Sequence, residues 1–278
     1  MLINRLNLAL LFALTSTTTF AATDNTYQHD VSLVYASSTD EFSDGSWDAD
    51  YRYYFTPVSQ DTAPYALSGF LAQSSNISVG YNVSEHSDFY LISGEYVFDS
   101  KWFIGLNYGM IDSDYQETNN YGAKLGYYFN ANSAVYLKYS TDNTDLAYGT
   151  YYKGEIDVDT VGLGIRSFIP LESTAGVDLY ADLGYSHSES SSSFDFGSNY
   201  YHHTSNDTSL NLGARWFINK SWAVGASHTI QDEDDPSTIY TSYYWRITDF
   251  ISAQTSISKF IDSDADDVFI ALGINGRF

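Results

Sequence analysis

The amino-acid sequence predicts an all-β fold: an antiparallel transmembrane β-barrel of about fourteen strands that follows a cleaved signal peptide. Three observations predict it. Apolar and polar residues alternate with a period of two in one short segment after another, the period that sends successive side chains to opposite faces of a strand. Tyr occurs 26 times and Phe 17 times in 278 residues, with 19 Gly and only 4 Pro, the usage of a strand protein carrying aromatic girdles. The stretches YYFTP, YVFDS, YYFNA, SFIPL, WFINK and WRITD each place bulky apolar residues just before a turn, at the end of every second strand. That punctuation marks one common rim, whereas a soluble sandwich or propeller has no need of so many aromatics at its strand ends.

Residues 1–21 contain one basic residue, Arg5, an apolar run over 8–14 and the triplet Thr19-Phe20-Ala21, and read as a secretory signal cut after Ala21. The run is too short to span a bilayer, and no later stretch approaches the roughly 18 consecutive apolar residues of a membrane helix. Residues 22–278 are expected to form the barrel. Without Arg5 they hold 11 basic and 35 acidic residues, a formal charge of −24. Such a surplus repels a phosphate backbone and excludes nucleic acid as a partner. There is no cysteine, so no disulfide framework holds the chain together and its own sheet must. The slightly negative mean hydropathy is what a barrel gives, because lipid-facing and lumen-facing residues cancel along each strand.

In chain order, Val31, Leu33 and Tyr35 mark the first strand. Trp47, Ala49, Tyr51, Tyr53 and Phe55 mark the second, which should stop at Pro57 because proline cannot donate into a central ladder. Residues 58–74 break the rhythm, and 65–72 reads as a short helix in place of a strand. Strands three and four alternate over 77–83 and 90–98, and the turn Asp99-Ser100-Lys101 leads into the fifth, 102–110. Strand six covers 121–129, seven 135–139 and eight 161–165, with a long polar loop expected between the last two. Strand nine covers 177–185 and ten 210–218, and the Ser-rich stretch 186–207 between them is expected to be the longest loop. Segments 222–230, 239–247, 251–257 and 267–278 complete the fourteen. Short turns on the aromatic-marked rim and longer, polar, acidic loops on the other assign the first to the periplasm and the second to the cell exterior.

Few residues suggest chemistry. The six histidines form no HExxH pattern, and His202-His203 reads as part of a solvated loop. No Ser/His spacing points to a hydrolase, so no catalytic residue and no enzyme activity is expected. Asp262, Asp264 and Asp266 copy the first ligand spacings of a calcium loop, but Asp267 stands where that loop needs Gly and Gly273 where it needs Glu. With Asp232, Glu233, Asp234 and Asp235 they read as a solvated acidic rim. Loose binding of a divalent cation there, against lipopolysaccharide phosphates, stays open, and no metal or cofactor is assigned.

The lumenal rows say more. Arg52, Arg166, Arg215, Arg246 and Arg277, every arginine after residue 21, fall on the polar face of their strands within about three residues of the periplasmic end, hence at nearly one depth. Lys124 and Lys138 lie on the same face further up. Glu95, Asp178 and Asp182 share it and can pair with these cations. If Asp178 and Asp182 neutralise Arg166 and Arg215, then Arg52, Arg246 and Arg277 remain unpaired, and the inner zone should favour anions behind an acidic outer mouth.

The last segment alternates Val268, Ile270, Leu272, Ile274, Gly276 and Phe278 with Asp267, Phe269, Ala271, Gly273, Asn275 and Arg277. It resembles the final strand of Gram-negative outer-membrane barrels, the strand that the barrel assembly machinery recognises in that family. Gly273 and Phe278 fit the family pattern, and Ala271 and Gly276 depart from it. Residues 53–83, with their YYF-x-P end to strand two and an Ala/Leu/Phe-rich segment before strand three, are similar to a porin group of gammaproteobacteria. The resemblance implies an outer-membrane porin passing small hydrophilic solutes, with outer-membrane lipid, lipopolysaccharide and the assembly machinery as partners. Fourteen strands lie between filled eight-strand barrels and open porins of 16 to 18 strands, which suits a narrow pore. A substrate-specific uptake channel, a loop-mediated adhesin or receptor, and an outer-membrane enzyme are the rival readings. The sequence leaves the solute, the oligomeric state and any occlusion by 65–72 or 186–207 open.

Overall fold

A computed structural model describes residues 25–62, 64–148, 152–194, 200–232, 235–261 and 268–278. The expected signal peptide, the acidic loop 262–267, Glu233 and Asp234 lie outside the described residues. The alternating segments fold into β1 (Thr26–Ser38), β2 (Ser46–Ser59), β3 (Asn76–Val83), β4 (Ser87–Val97), β5 (Trp102–Ser113), β6 (Gln116–Asn130) and β7 (Ser133–Tyr148). They continue with β8 (Tyr152–Ile169), β9 (Gly176–Phe194), β10 (Tyr200–Phe217), β11 (Trp222–Ile230), β12 (Ser237–Arg246), β13 (Ile251–Phe260) and β14 (Val268–Arg277). Each strand pairs antiparallel with its sequence neighbours, and β14 pairs with β1 from Asp30↔Arg277 to Ser38↔Phe269, closing the barrel. Closure satisfies the backbone groups that lipid cannot.

Two expectations about segment ends need correction. β2 does not stop at Pro57 but runs to Ser59. Beyond Tyr54↔Asn76 the strand β3 no longer lies alongside it, and Tyr27↔Val58 and Thr26↔Ser59 keep pairing on the β1 side, so the proline sits where the strand has a single neighbour. The second correction is larger. The stretches expected as long loops, 140–160 and 186–207, are mostly strand. β7 and β8 stay in register up to Tyr148↔Tyr152, and β9 and β10 up to Tyr200↔Ser193. These halves carry Ser, Thr, Asn, His and Asp on both faces because both faces meet water. The two-residue period therefore fades although the hydrogen-bond ladder continues.

The apolar belt shows where the membrane lies. Outward-facing residues of β8 read Ile169, Ser167, Ile165, Leu163 and Val161, then change to Asp159, Asp157 and Glu155. The apolar part has a height of roughly 20 Å at ordinary strand tilt, close to the band of such barrels. Its lower edge, at the short turns, carries Phe98, Trp102, Phe129, Trp216, Trp222 and Trp245, all exposed. Its upper edge carries tyrosines whose hydroxyls each donate to a polar side chain one step higher: Tyr108 to Asn119 (2.7 Å), Tyr139 to Asp159 (2.7 Å) and Tyr185 to Asn206 (2.9 Å). These are two aromatic girdles, with the apolar ring in lipid and the hydroxyl in the head-group layer. Above the upper girdle β7 to β10 rise as a tall, polar wall on one side of the barrel.

The segment read as a helix is one. After a 3-10 turn over Tyr65–Leu67 comes α1 (Ser68–Ala72), which ends where Gln73 takes a left-handed conformation, φ 49°.

Candidate functional site: the barrel lumen

Arginines, lysines and acids sit on the inward row of their strands, where register decides which of them meet. On β9, Asp178 stands directly opposite Arg215 of β10 and one step from the partner of Arg166 on β8. It accepts bonds from Arg166 Nε (3.0 Å) and Nη2 (2.9 Å) and from Arg215 Nη2 (3.0 Å), with its side chain only 2% exposed. One carboxylate thus serves two guanidiniums. Asp182, four residues further along the same row, does not take part as expected. It pairs with Lys138 (2.9 Å) and accepts a bond from the Tyr136 hydroxyl (3.0 Å). Glu95 likewise binds Lys124 (2.8 Å) and accepts from Tyr128 (3.2 Å).

The lysines reach acids two strands away because glycines leave the path open. Lys124 lies over Gly105 to reach β4, and Lys138 over Gly162 to reach β9; a Cβ on Gly162 would come within 2.6 Å of the Lys138 chain. The same device seats aromatic rings. Phe103, Tyr136, Tyr180 and Tyr240 each stand directly opposite a glycine, Gly126, Gly164, Gly213 and Gly225, and a Cβ there would collide with the ring. These rings lie flat against the wall instead of projecting into the lumen.

The expectation of three unpaired arginines is overturned for Arg277 and Arg246. Arg277 Nε donates to Asp30 (3.1 Å), and its guanidinium lies over the rings of Tyr27 (4.9 Å) and Tyr244 (5.3 Å). Arg246 meets Gln60 (2.9 Å), Asp249 (3.3 Å) and, more loosely, Asp61 (4.0 Å), lining a cup of about 350 Å³ at the turn rim. Arg52 faces Asp30 in register and shares its row with Asp50. It also lies seven residues from the end of β2, not three, because that strand is longer than expected. Asp30 is the group that sequence reasoning missed. It follows a polar lead-in and carries no signal until closure sets β1 against β14.

Segment 64–75 crosses the lumen at the turn rim. Leu67 packs among Phe168 of β8, Phe217 of β10 and Ala223 of β11, while Ala72 packs on the far wall against Tyr27, Tyr54 and Val58. Phe70 packs with Phe103, Tyr128 and Ala134 and lies under the Arg166 guanidinium (4.6 Å). Polar ties fix it further: Ser68 Oγ with the Tyr27 hydroxyl (2.7 Å), Arg277 Nη1 to the Tyr65 carbonyl (3.2 Å), Tyr65 N–H to the Lys220 carbonyl (3.1 Å) and Gln73 Nε2 to the Asn130 carbonyl (2.8 Å). The arginine row and this plug are therefore one assembly, with Arg166 and Arg277 holding the segment as well as lining the wall. On the other side of closure, Phe278 stacks on His29 (5.4 Å between rings, 18° between planes), and its backbone bonds that of β1.

A family model for the outer membrane protein beta-barrel domain matches residues 98–246, more than half of the chain. No curated protein matches. Among solved structures the fold is similar to Omp33 of Acinetobacter baumannii, with a TM-score of 0.57 at 20% identity over 91% of this chain and 99% of that one. More distant are OmpT of Vibrio cholerae (TM-score 0.45, 9% identity, 94% of this chain and 100% of that one) and the KdgM porin (0.42, 7%, 90% and 99%). With a closed barrel, an apolar belt between two girdles and a matching domain model, the chain belongs to the outer membrane protein β-barrel domain family and is a protein of the Gram-negative outer membrane.

Proposed function

We propose that the barrel is an outer-membrane porin for passive diffusion of small hydrophilic solutes through a narrow lumen, shut at the turn rim in this conformation by segment 64–75. The observation that carries this reading is the lumenal row of charges, most of them partnered: Lys124 with Glu95, Lys138 with Asp182, Arg166 and Arg215 with Asp178, Arg246 with Asp249 and Arg277 with Asp30, while Arg52 stands level with Asp30. An eight-strand barrel is only wide enough for its own side chains, whereas fourteen strands leave room for water between the charged walls. Paired charges also change the expected selectivity. The interior offers little unbalanced charge, so ion preference should come from the acidic outer wall and be weakly cationic, fading as salt screens it. Planar-bilayer recording under a salt gradient tests this. Conductance with a small cation-directed reversal potential at low salt is expected. A silent membrane with both the intact protein and a variant lacking the plug would remove the reading.

Orientation follows from the tall wall and the short-turn rim, which belong to the exterior and the periplasm respectively in this architecture. On intact cells an impermeant maleimide should label Glu189→Cys and leave Lys220→Cys untouched; labelling of the second would invert the barrel.

Gly273 and Phe278 are proposed as the part of β14 that the assembly machinery reads. Removing Phe278 also strips the ring stacked on His29, so the heat-modifiable folded fraction in the outer membrane should fall severalfold and envelope stress should rise. Undiminished folding would place the signal elsewhere.

A further inference from the structure

β10 is partnered unequally on its two sides. Against β9 it pairs without a register shift from Tyr200↔Ser193 to Phe217↔Gly176. Against β11 the pairing begins only at Leu210↔Ile230. After Ile230 the chain turns to β12, with Thr229 N–H on the Pro236 carbonyl (3.0 Å). Among the described residues, 200–209 therefore form a free sheet edge, with no backbone bond to anything but β9. Elsewhere the described rim is level: Asp112↔Glu117, Tyr148↔Tyr152 and Lys259↔Val268 close their strand pairs to the last residues.

Ten extended residues reach about 33 Å, and every second one points its N–H and C=O at the open side. Proteins usually blunt such an edge with lysine, proline, a bulge or a cover. YYHHTSNDTS has no lysine or proline, its register is unbroken, and residues 201–208 are exposed. Residues 200–207 of the edge stand above the upper girdle, since Tyr185 of β9 lies level with Thr208. They are thus in water on the outer side, with lipid below.

We propose that residues 200–209 are a docking edge for an extended, positively charged polypeptide segment, which adds to the wall as one more strand. A second copy in the same membrane fits poorly. A twofold axis along the membrane normal would cross two such strands at twice their tilt, about 80°, and a head-to-tail contact finds no second free edge among the described residues. The sign of the partner follows from the surrounding carboxylates. Asp207 lies on the edge, Glu189 opposes Thr204 on β9, and Asp157 opposes Glu189 on β8, in a chain with a formal charge of −23. Opposed acids on one face are unfavourable on their own and are relieved by a basic neighbour. Backbone bonds supply the affinity and alternate side chains the preference, as in strand addition generally.

The test uses the purified full barrel in proteoliposomes and a labelled peptide of alternating Thr and Lys, about ten residues long to match the edge. Binding should slow amide exchange in 201–209 at least about tenfold and leave β13 unchanged. The same peptide methylated on alternate backbone nitrogens keeps its charge and should bind at least about tenfold more weakly, because the ladder is lost. A Thr/Glu peptide should bind more weakly still. Equal affinity of the methylated peptide, protection absent from 201–209, or equal binding of the acidic peptide would each overturn the proposal. So would protection of the same amides by vesicle clustering without peptide, which would make a second copy the occupant.

Discussion

Replacing residues 65–72 by a Gly/Ser linker of equal length is expected to raise single-channel conductance at least about threefold, because the segment is what spans the lumen at the turn rim. Leu67, Phe70 and Ala72 make their contacts with opposite walls, so the linker removes the crossing and leaves the fourteen-strand ladder untouched. A milder change, Leu67→Ser with Phe70→Ser, takes away two apolar anchors and keeps the bonds from Arg277 and Gln73. Burying each anchor is worth about 2 kcal/mol, so this variant should flicker between conductance levels more often than the parent. Planar-bilayer records of all three proteins decide the matter. An unchanged conductance in the linker variant would mean that the constriction lies higher in the barrel.

Asp178→Ala should be the most destabilising single change in the lumen. It leaves Arg166 and Arg215 without their shared carboxylate, and removing one partner from a buried ionic group costs about 3–5 kcal/mol. Both arginines are partly exposed, at 30% and 22% of their side chains, so hydration offsets some of this and the lower end is expected. Urea unfolding followed by tryptophan fluorescence would show it as a lower midpoint. Adding Arg166→Leu and Arg215→Leu to Asp178→Ala removes the stranded charges and should recover most of the loss. A triple variant as unstable as the single one would show that Asp178 matters for its shape and not its charge.

The strands within the membrane were legible because lipid on one side and water on the other impose a strict alternation. The same alternation puts Arg166, Arg215, Lys124 and Lys138 on one face of their strands, where they meet Asp178, Glu95 and Asp182. Where water lies on both sides, as in 186–194 and 200–207, composition no longer reports the strand, and these stretches read as a loop. Partners were legible only in part. Asp178 was expected beside arginine and is there, but Asp182 serves Lys138, because its choice depends on Gly162 lying between them in a register that no single segment reveals. Residues 65–72 show their helical character in sequence. Their place across the lumen depends on closure, which brings β8, β10 and β11 opposite β1 and β2.

The glycines facing Phe103, Tyr136, Tyr180 and Tyr240 have a consequence for how such a barrel can change over generations. Strand number fixes the circumference in coarse steps, since adding a hairpin alters every neighbour. A glycine replaced by a larger residue changes one ring from lying along the wall to standing out from it, and so trims the bore locally while the ladder stays intact. The aperture of this protein can therefore drift in small, reversible increments by single substitutions, at positions where the backbone itself is under no demand to move.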